Sequence, residues 1–278
     1  MRRWVRGTTL KKGGDKVDIV VCVKRVPDVA EAEISVRPDG KEIVREGLIF
    51  DINEWDNYAA EEAIRIKERM GGKVTVISLG DDGSKEVIRR CLAMGADEGI
   101  LLNDPSLFGG DAHSVARALW GAIKDLKYDM VLTGVQAADD GYAQVGPILA
   151  QMLGIPHVTM VTGMEVEEGR VKVRRELEEG WEEELEVRLP ALFSIQTGIN
   201  EPRYVSIMGI RKARQKEIRA MGLKELGLEE REVGQEGSLL ELERLFVPEA
   251  SKRAEILSGD LGEVASRVAE IIKEKGGL

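Results

Sequence analysis

Between residues 17 and 161 short apolar runs alternate with stretches of helical period, and glycine stands at most of the joins. The runs fall at residues 17–23, 73–79, 99–102, 130–132 and 158–161. Helical spacing fills the gaps at about residues 53–70, 84–94, 111–126 and 145–153, closed by Gly71, Gly95 and Gly154. Such alternation predicts βα units and a parallel sheet covered by helices on both faces.

Beyond Thr162 the texture changes. Residues 164–167 and 171–173 flank Glu168-Gly169, and residues 174–177 and 181–189 flank Glu178-Glu179-Gly180, which predicts two hairpins. Leu185, Val187 and Leu189 alternate with charged residues, so one face of this ribbon is wet. A last apolar strand is expected at residues 190–195. Another hairpin is expected at residues 32–44, turning at Arg37-Pro38-Asp39-Gly40. The basic stretch Arg211, Lys212, Arg214, Lys216 and Arg219 looks helical, and a final amphipathic helix is expected at about residues 261–275. The expected organisation is a disordered basic tail (1–16), an α/β domain (17–220), and a core-poor C-terminal arm (221–278) that needs a partner surface.

Bulk numbers narrow the function. Of 278 residues, 43% are hydrophobic, which suits one large or two modest globular domains. A net charge of −10 argues against nucleic acid as a partner. With only two histidines and two cysteines, Cys22 and Cys91, in no CxxC spacing, a zinc site or a Ser-His-Asp triad has little to build on. No metal site and no catalytic side chain is expected. No apolar run reaches membrane-spanning length.

One segment concentrates the functional signal. The apolar run 130–132 ends near Gly134; a loop with Asp139, Asp140 and Gly141 follows; helical spacing then begins at Val145. A strand, a glycine-bearing loop and a helix start leave free backbone N–H groups facing the crevice at a strand's carboxyl end, where phosphates bind. The plain alternative is an ordinary turn of an α/β sheet. No glycine fingerprint follows the first strand and no Walker A sequence is present, so the phosphate site is expected here, after the fourth strand. Gly134, Gly141 and Gly146 would let backbone approach a ligand, Gln144 can hydrogen-bond it, and Cys22, Val23 and Leu79 would face an adenine ring. Asp139 suits loop-shaping or ribose binding better than catalysis.

Several strings then carry a resemblance: Val23-Lys24-Arg25-Val26-Pro27-Asp28, Ala60-Glu61-Glu62-Ala63, Leu92-Ala93-Met94-Gly95-Ala96-Asp97, Gly134-Val135-Gln136-Ala137, and above all Asn200-Glu201-Pro202-Arg203-Tyr204 with Gly209-Ile210-Arg211-Lys212-Ala213-Arg214. The chain resembles the beta subunit of electron-transfer flavoproteins from residue 17 onward. The resemblance implies a flavodoxin-like or adenine-nucleotide-hydrolase-like α/β sandwich with an antiparallel addition. It also implies an FAD-bearing alpha subunit clasped by the C-terminal arm.

The pocket would use Cys22, Val23, Asn53, Leu79, Gly80, Gly134, Asp139, Gly141, Tyr142, Ala143, Gln144, Val145 and Gly146. Docking of redox partners would use Gln196, Thr197, Gly198, Ile199, Asn200, Glu201 and Arg203, with Glu176 as a bridging glutamate. Two branches of the family differ in the ligand of this pocket. Ala143-Gln144-Val145-Gly146-Pro147 looks like the bifurcating branch, in which FAD takes hydride from NADH and its electrons pass to a ferredoxin-like acceptor and to a dehydrogenase or quinone reductase. The other branch holds a structural AMP and only shuttles electrons; the chain would oxidise NADH only with FAD. Tyr142 departs from the expected Thr. A universal-stress-type nucleotide-binding module is the third alternative. The expected location is the cytoplasm, with a membrane-bound quinone reductase complex as an associate.

Overall fold

Residues 19–22, Ile-Val-Val-Cys, are all buried, and the strand they form, β1 (Ile19–Cys22), has parallel neighbours on both sides. A strand covered on both faces has no wet side, so its run is apolar without alternation. The computed structural model describes residues 16–28, 34–248 and 256–275. The basic tail through residue 15, and Ala32 and Glu33 of the expected hairpin, lie outside them.

The elements follow as β2 (Arg25–Pro27), β3 (Phe50–Ile52), α1 (Glu54–Met70), β4 (Val74–Leu79), α2 (Lys85–Met94), β5 (Glu98–Leu102), α3 (Ala112–Ile123), β6 (Met130–Gly134), α4 (Val145–Leu153), β7 (His157–Glu167), β8 (Arg170–Glu176), β9 (Glu182–Arg188), β10 (Ala191–Ile195), α5 (Ile207–Gln215), β11 (Ile218–Met221), α6 (Leu223–Leu226) and α7 (Leu261–Glu274). Among the described residues nine strands form one sheet, ordered β11-β5-β4-β1-β6-β10-β7-β8-β9. Pairing is parallel from β11 to β7 and antiparallel across β7, β8 and β9.

Side chains divide by strand parity. Ile19 and Val21 join Met130, Leu132 and Phe193 in a core shared with α1, α2 and Ala213 of α5. Val20 and Cys22 join Val131 and Leu192 in a second core with α3, α4 and Leu226 of α6. Two helical layers thus enclose a mostly parallel sheet, the expected three-layer α/β fold with its antiparallel addition.

Some local expectations shift. The runs at 158–161 and 164–167 are one strand, β7. A register irregularity between Val161 and Gly163, next to Met160 at φ 58, hands it from parallel β10 to antiparallel β8. The hairpin at 32–44 reduces to one bridge, Val36 to Ile43. Arg219, expected on a helix, lies in β11, a four-residue edge strand beside β5. After it Leu226, Leu228 and Val233 are buried in the second core, where the sequence pattern showed little apolar period.

The described chain falls into two units. Residues 45–241 with the N-terminal strands make the first; residues 34–44 with those from 242 onward make the second. In the second unit α7 buries none of its residues, and Leu261, Val268 and Ile272 stay exposed. Among the described residues no helix is long and apolar enough to cross a membrane.

Candidate functional site

β1 and β6 are adjacent parallel strands, and the chain leaves them in opposite directions across the sheet, β1 toward β4 and β6 toward β10. Their carboxyl ends therefore bound a crevice at a topological switch point. Its walls include Cys22 and Leu79 from the strands, Val23 just past β1, and Val115 and Leu119 from α3. Burial pushes the Cys22 thiol well above its ordinary range, and Asp56 adds to the effect, so Cys22 is a neutral, apolar wall.

Two helices begin at the cleft. Ala112 starts α3 and Val145 starts α4, and both line it. The first N–H groups of a helix have no partner in its own ladder. In α4 the ladder opens with Ile148 N–H donating to Gln144 O, and Pro147 has no N–H, which leaves the amides of Val145 and Gly146 at the positive end of the helix. In α3 the Asp111 carboxylate accepts from Ser114 N at 2.9 Å and from the backbones of Leu239 and Leu240.

Asp56 ties the crevice together. Its carboxylate accepts the Lys24 backbone N–H at 2.7 Å and the Gly134 N–H at 3.0 Å, joining the ends of β1 and β6 through the first turn of α1. Burial is the largest influence on this carboxyl and pushes it up to about 7, against the lowering effect of its N–H donors and Lys24. Asn53 precedes α1 but caps nothing with its side chain. Instead its amide donates to Gln136 O at 2.8 Å and accepts from Ala138 N at 3.1 Å, fixing the base of the β6–α4 loop.

Of the expected pocket residues, Cys22, Val23, Asn53, Leu79, Gly134, Tyr142, Ala143, Gln144, Val145 and Gly146 line the cleft together. Gly80, Asp139 and Gly141 do not. Gly80 sits under Ser84, Gly141 is exposed with a positive φ of 64°, and Asp139 pairs with Lys24 at 2.6 Å. Two of these glycines also have a packing role within the chain. An added Cβ at Gly134 would lie 2.4 Å from Asp56 Oδ1, and one at Gly146 2.4 Å from Ser194 Oγ. Both are bare so that a helix start can approach the sheet. Sequence reasoning missed Lys24, Asp56, Asp111 and Gln136 among the lining residues. For Asp56 the signal was present, since a carboxylate in the first turn of a helix that follows a strand end faces the crevice.

The expected docking segment lies after β10. Gln196 accepts the Trp55 indole N–H at 2.8 Å and donates to Glu176 at 3.2 Å, so these three side chains meet. Thr197 N–H also bonds the Gln196 side chain. Asn200 donates to Tyr58 O and to Glu62. Arg203 is committed within the chain: it holds buried Glu61 at 2.9 and 3.1 Å and Glu68 at 2.6 and 2.9 Å. Glu61 is only 1% exposed, and its other cation is Arg65. Arg203→Ala is therefore expected to destabilise this chain by about 2 kcal/mol, less than a fully orphaned buried charge because Arg65 stays. A lowered urea midpoint checks it; an unchanged midpoint with weakened partner binding would contradict it.

A parallel sheet with a switch-point crevice, faced by two helix starts, defines an α/β protein with the kind of crevice in which such folds bind ligands. The family model for the Electron transfer flavoprotein domain matches residues 41–226. The electron transfer flavoprotein subunit beta of Thermoanaerobacterium thermosaccharolyticum is 40% identical over 260 residues, covering 93% of this chain and 99% of that protein. That of Methylophilus methylotrophus is 38% identical over 260 residues, covering 92% and 98%. The Caffeyl-CoA reductase-Etf complex subunit CarD of Acetobacterium woodii matches at 38% over 260 residues, again 92% and 98%. The chain belongs to the electron transfer flavoprotein family, as a beta subunit. The universal-stress alternative loses its ground.

Proposed function

We propose that this beta subunit holds FAD in the β1–β6 cleft, accepts hydride from NADH there, and divides the electrons between a low-potential ferredoxin-like acceptor and the FAD of an alpha subunit, which serves a dehydrogenase or quinone reductase. The observation that carries the reading is the cleft's composition. Its amides at Val145 and Gly146 suit a pyrophosphate, while Val23, Leu79, Leu119 and Ala143 offer apolar surface to flat rings. Ala143 adopts a left-handed φ of 55°, a costly conformation for a residue with a Cβ, which presents a small side chain at the cleft mouth.

When bound, the flavin supplies the hydride acceptor and the electron-splitting chemistry; the chain orients it and excludes water. Asp56 and Asn53 hold the crevice walls and the loop in register, and the N–H groups of α4 neutralise the phosphates. Docking runs through residues 196–201 with Glu176, while Arg203 braces that ledge from within. The unburied apolar face of α7 supports clasping by the alpha subunit, in the cytoplasm or beside a membrane-bound quinone reductase.

Denaturing the purified heterodimer and identifying the released cofactors tests the reading. Two FAD per heterodimer are expected. One FAD and one AMP would overturn it in favour of a simple electron carrier.

A further inference from the structure

Lys24 is the one cation among the described residues that line the cleft. Its backbone is fixed at both groups: its N–H donates to Asp56 at 2.7 Å, and its carbonyl accepts from Asn53 N at 2.9 Å. From this anchored base the side chain reaches the β6–α4 loop, where Nζ lies 2.6 Å from Asp139 Oδ1 and 2.8 Å from Asp140 Oδ2. All three side chains are partly shielded, at 40, 29 and 35% exposure.

The loop needs such a hold. Residues 138–144 are exposed, and among the described residues the bonds Gly141 N to Ala137 O and Tyr142 N to Asp140 Oδ1 stay inside the loop. Asn53 fastens the base, at Gln136 and Ala138. Among the described residues, Lys24 alone joins the tip to the β1 side through side-chain bonds. Asp139 and Asp140 are also adjacent like charges above a cleft suited to a polyanion, and without a shared cation they would repel each other and the ligand.

We propose that Lys24 is a positioning residue for the cofactor: it latches the 137–144 loop through Asp139 and Asp140, and the phosphates are recognised by the amides of α4 rather than by this ammonium. The inference rests on the cleft being the nucleotide site, for FAD or AMP alike. A cation spent on two loop carboxylates is a poor phosphate ligand, because a phosphate must displace both to win it.

The test measures release of the bound nucleotide from the purified heterodimer after dilution into excess apo-acceptor. Lys24→Met is expected to release it on the order of tenfold faster, as two partly shielded ion pairs allow, and Lys24→Arg to restore most of the retention. The Asp139→Asn/Asp140→Asn variant is expected to release faster too, and adding Lys24→Met to it to change little further. If Lys24 instead held the phosphate, the double Asn variant would retain the nucleotide longer, and the latch would be wrong. Unchanged release in Lys24→Met would also overturn it. Amide hydrogen exchange of residues 138–143 gives a second reading on cofactor-free protein, with faster exchange expected in Lys24→Met and equal exchange counting against the latch. The identity of the released molecule judges the cofactor reading; its rate and the loop exchange judge the latch.

Discussion

Asp56→Ala is expected to cost this chain about 2–5 kcal/mol, because it leaves the Lys24 and Gly134 amides at the heart of the switch point without an acceptor. Asp56 is 6% exposed, so water does not readily replace it. Asp56→Asn keeps one acceptor and sets an amide NH2 against the other donor, and should cost about half as much. The charge state adds a pH signature. Burial, the largest influence, raises this carboxyl to about 7 in the folded chain, from the ordinary carboxylate range near 4 when unfolded. A raised group contributes stability that is full below the unfolded value and is lost as pH rises through the folded one. The deficit of Asp56→Asn against the natural chain should therefore be largest at about pH 4 and below and shrink steadily up to pH 8. Urea unfolding at pH 5 and pH 8 reads this directly. A deficit that does not vary with pH would mean that the two N–H donors and the helix start keep Asp56 ionised throughout, and that burial loses.

How much of this was legible without coordinates depends on how local each signal is. The strands β1, β4, β5 and β6 are mostly apolar because both faces are covered, and α1 and α4 end at Gly71 and Gly154 where the next turn needs positive φ. Those patterns are local and were readable. β11 was not, since a four-residue edge strand with Arg219 and Ala220 exposed carries no periodicity to separate it from the basic helix before it. The insertion of β10 between β6 and β7 is likewise a fact of pairing that no run of residues encodes.

The loop from Gly134 to Gly146 was legible as a border of the crevice, but the packing of its residues was not. Glycines there suggested room for a ligand, whereas the side chains that fill their missing volume, Trp55 and Asp56 at Gly134, Thr133 and Ser194 at Gly146, come from other elements. Arg203 sits in a string that resembles a docking signature. Its guanidinium is nonetheless spent on Glu61 and Glu68, more than a hundred residues earlier in the chain. Long-range charge pairing of this kind is invisible to spacing.

Gly146→Ala is the second large effect, and it should strike stability and ligand together. The new Cβ would meet Ser194 Oγ at 2.4 Å and Thr133 Oγ1 at 2.9 Å, both far inside normal contact. These hydroxyls are buried and bond each other at 3.0 Å, so neither can turn away without losing its partner. The less costly response is for the first turn of α4 to lift off the sheet, at about 1–3 kcal/mol. That movement carries the amides of Val145 and Gly146 out of the cleft. Nucleotide affinity should then fall by about tenfold or more, since one lost charge-assisted bond of about 1.5 kcal/mol is already worth that. Removing the obstruction should reverse it: Ser194→Ala combined with Gly146→Ala is expected to recover part of both losses, although Ser194→Ala alone leaves the Thr133 hydroxyl short of a partner. Unfolding midpoints and nucleotide titrations on the two single variants and the double close the cycle. If the double is no better than Gly146→Ala alone, the close approach of helix to sheet is not what this glycine provides, and its amide's access to the ligand becomes the better account.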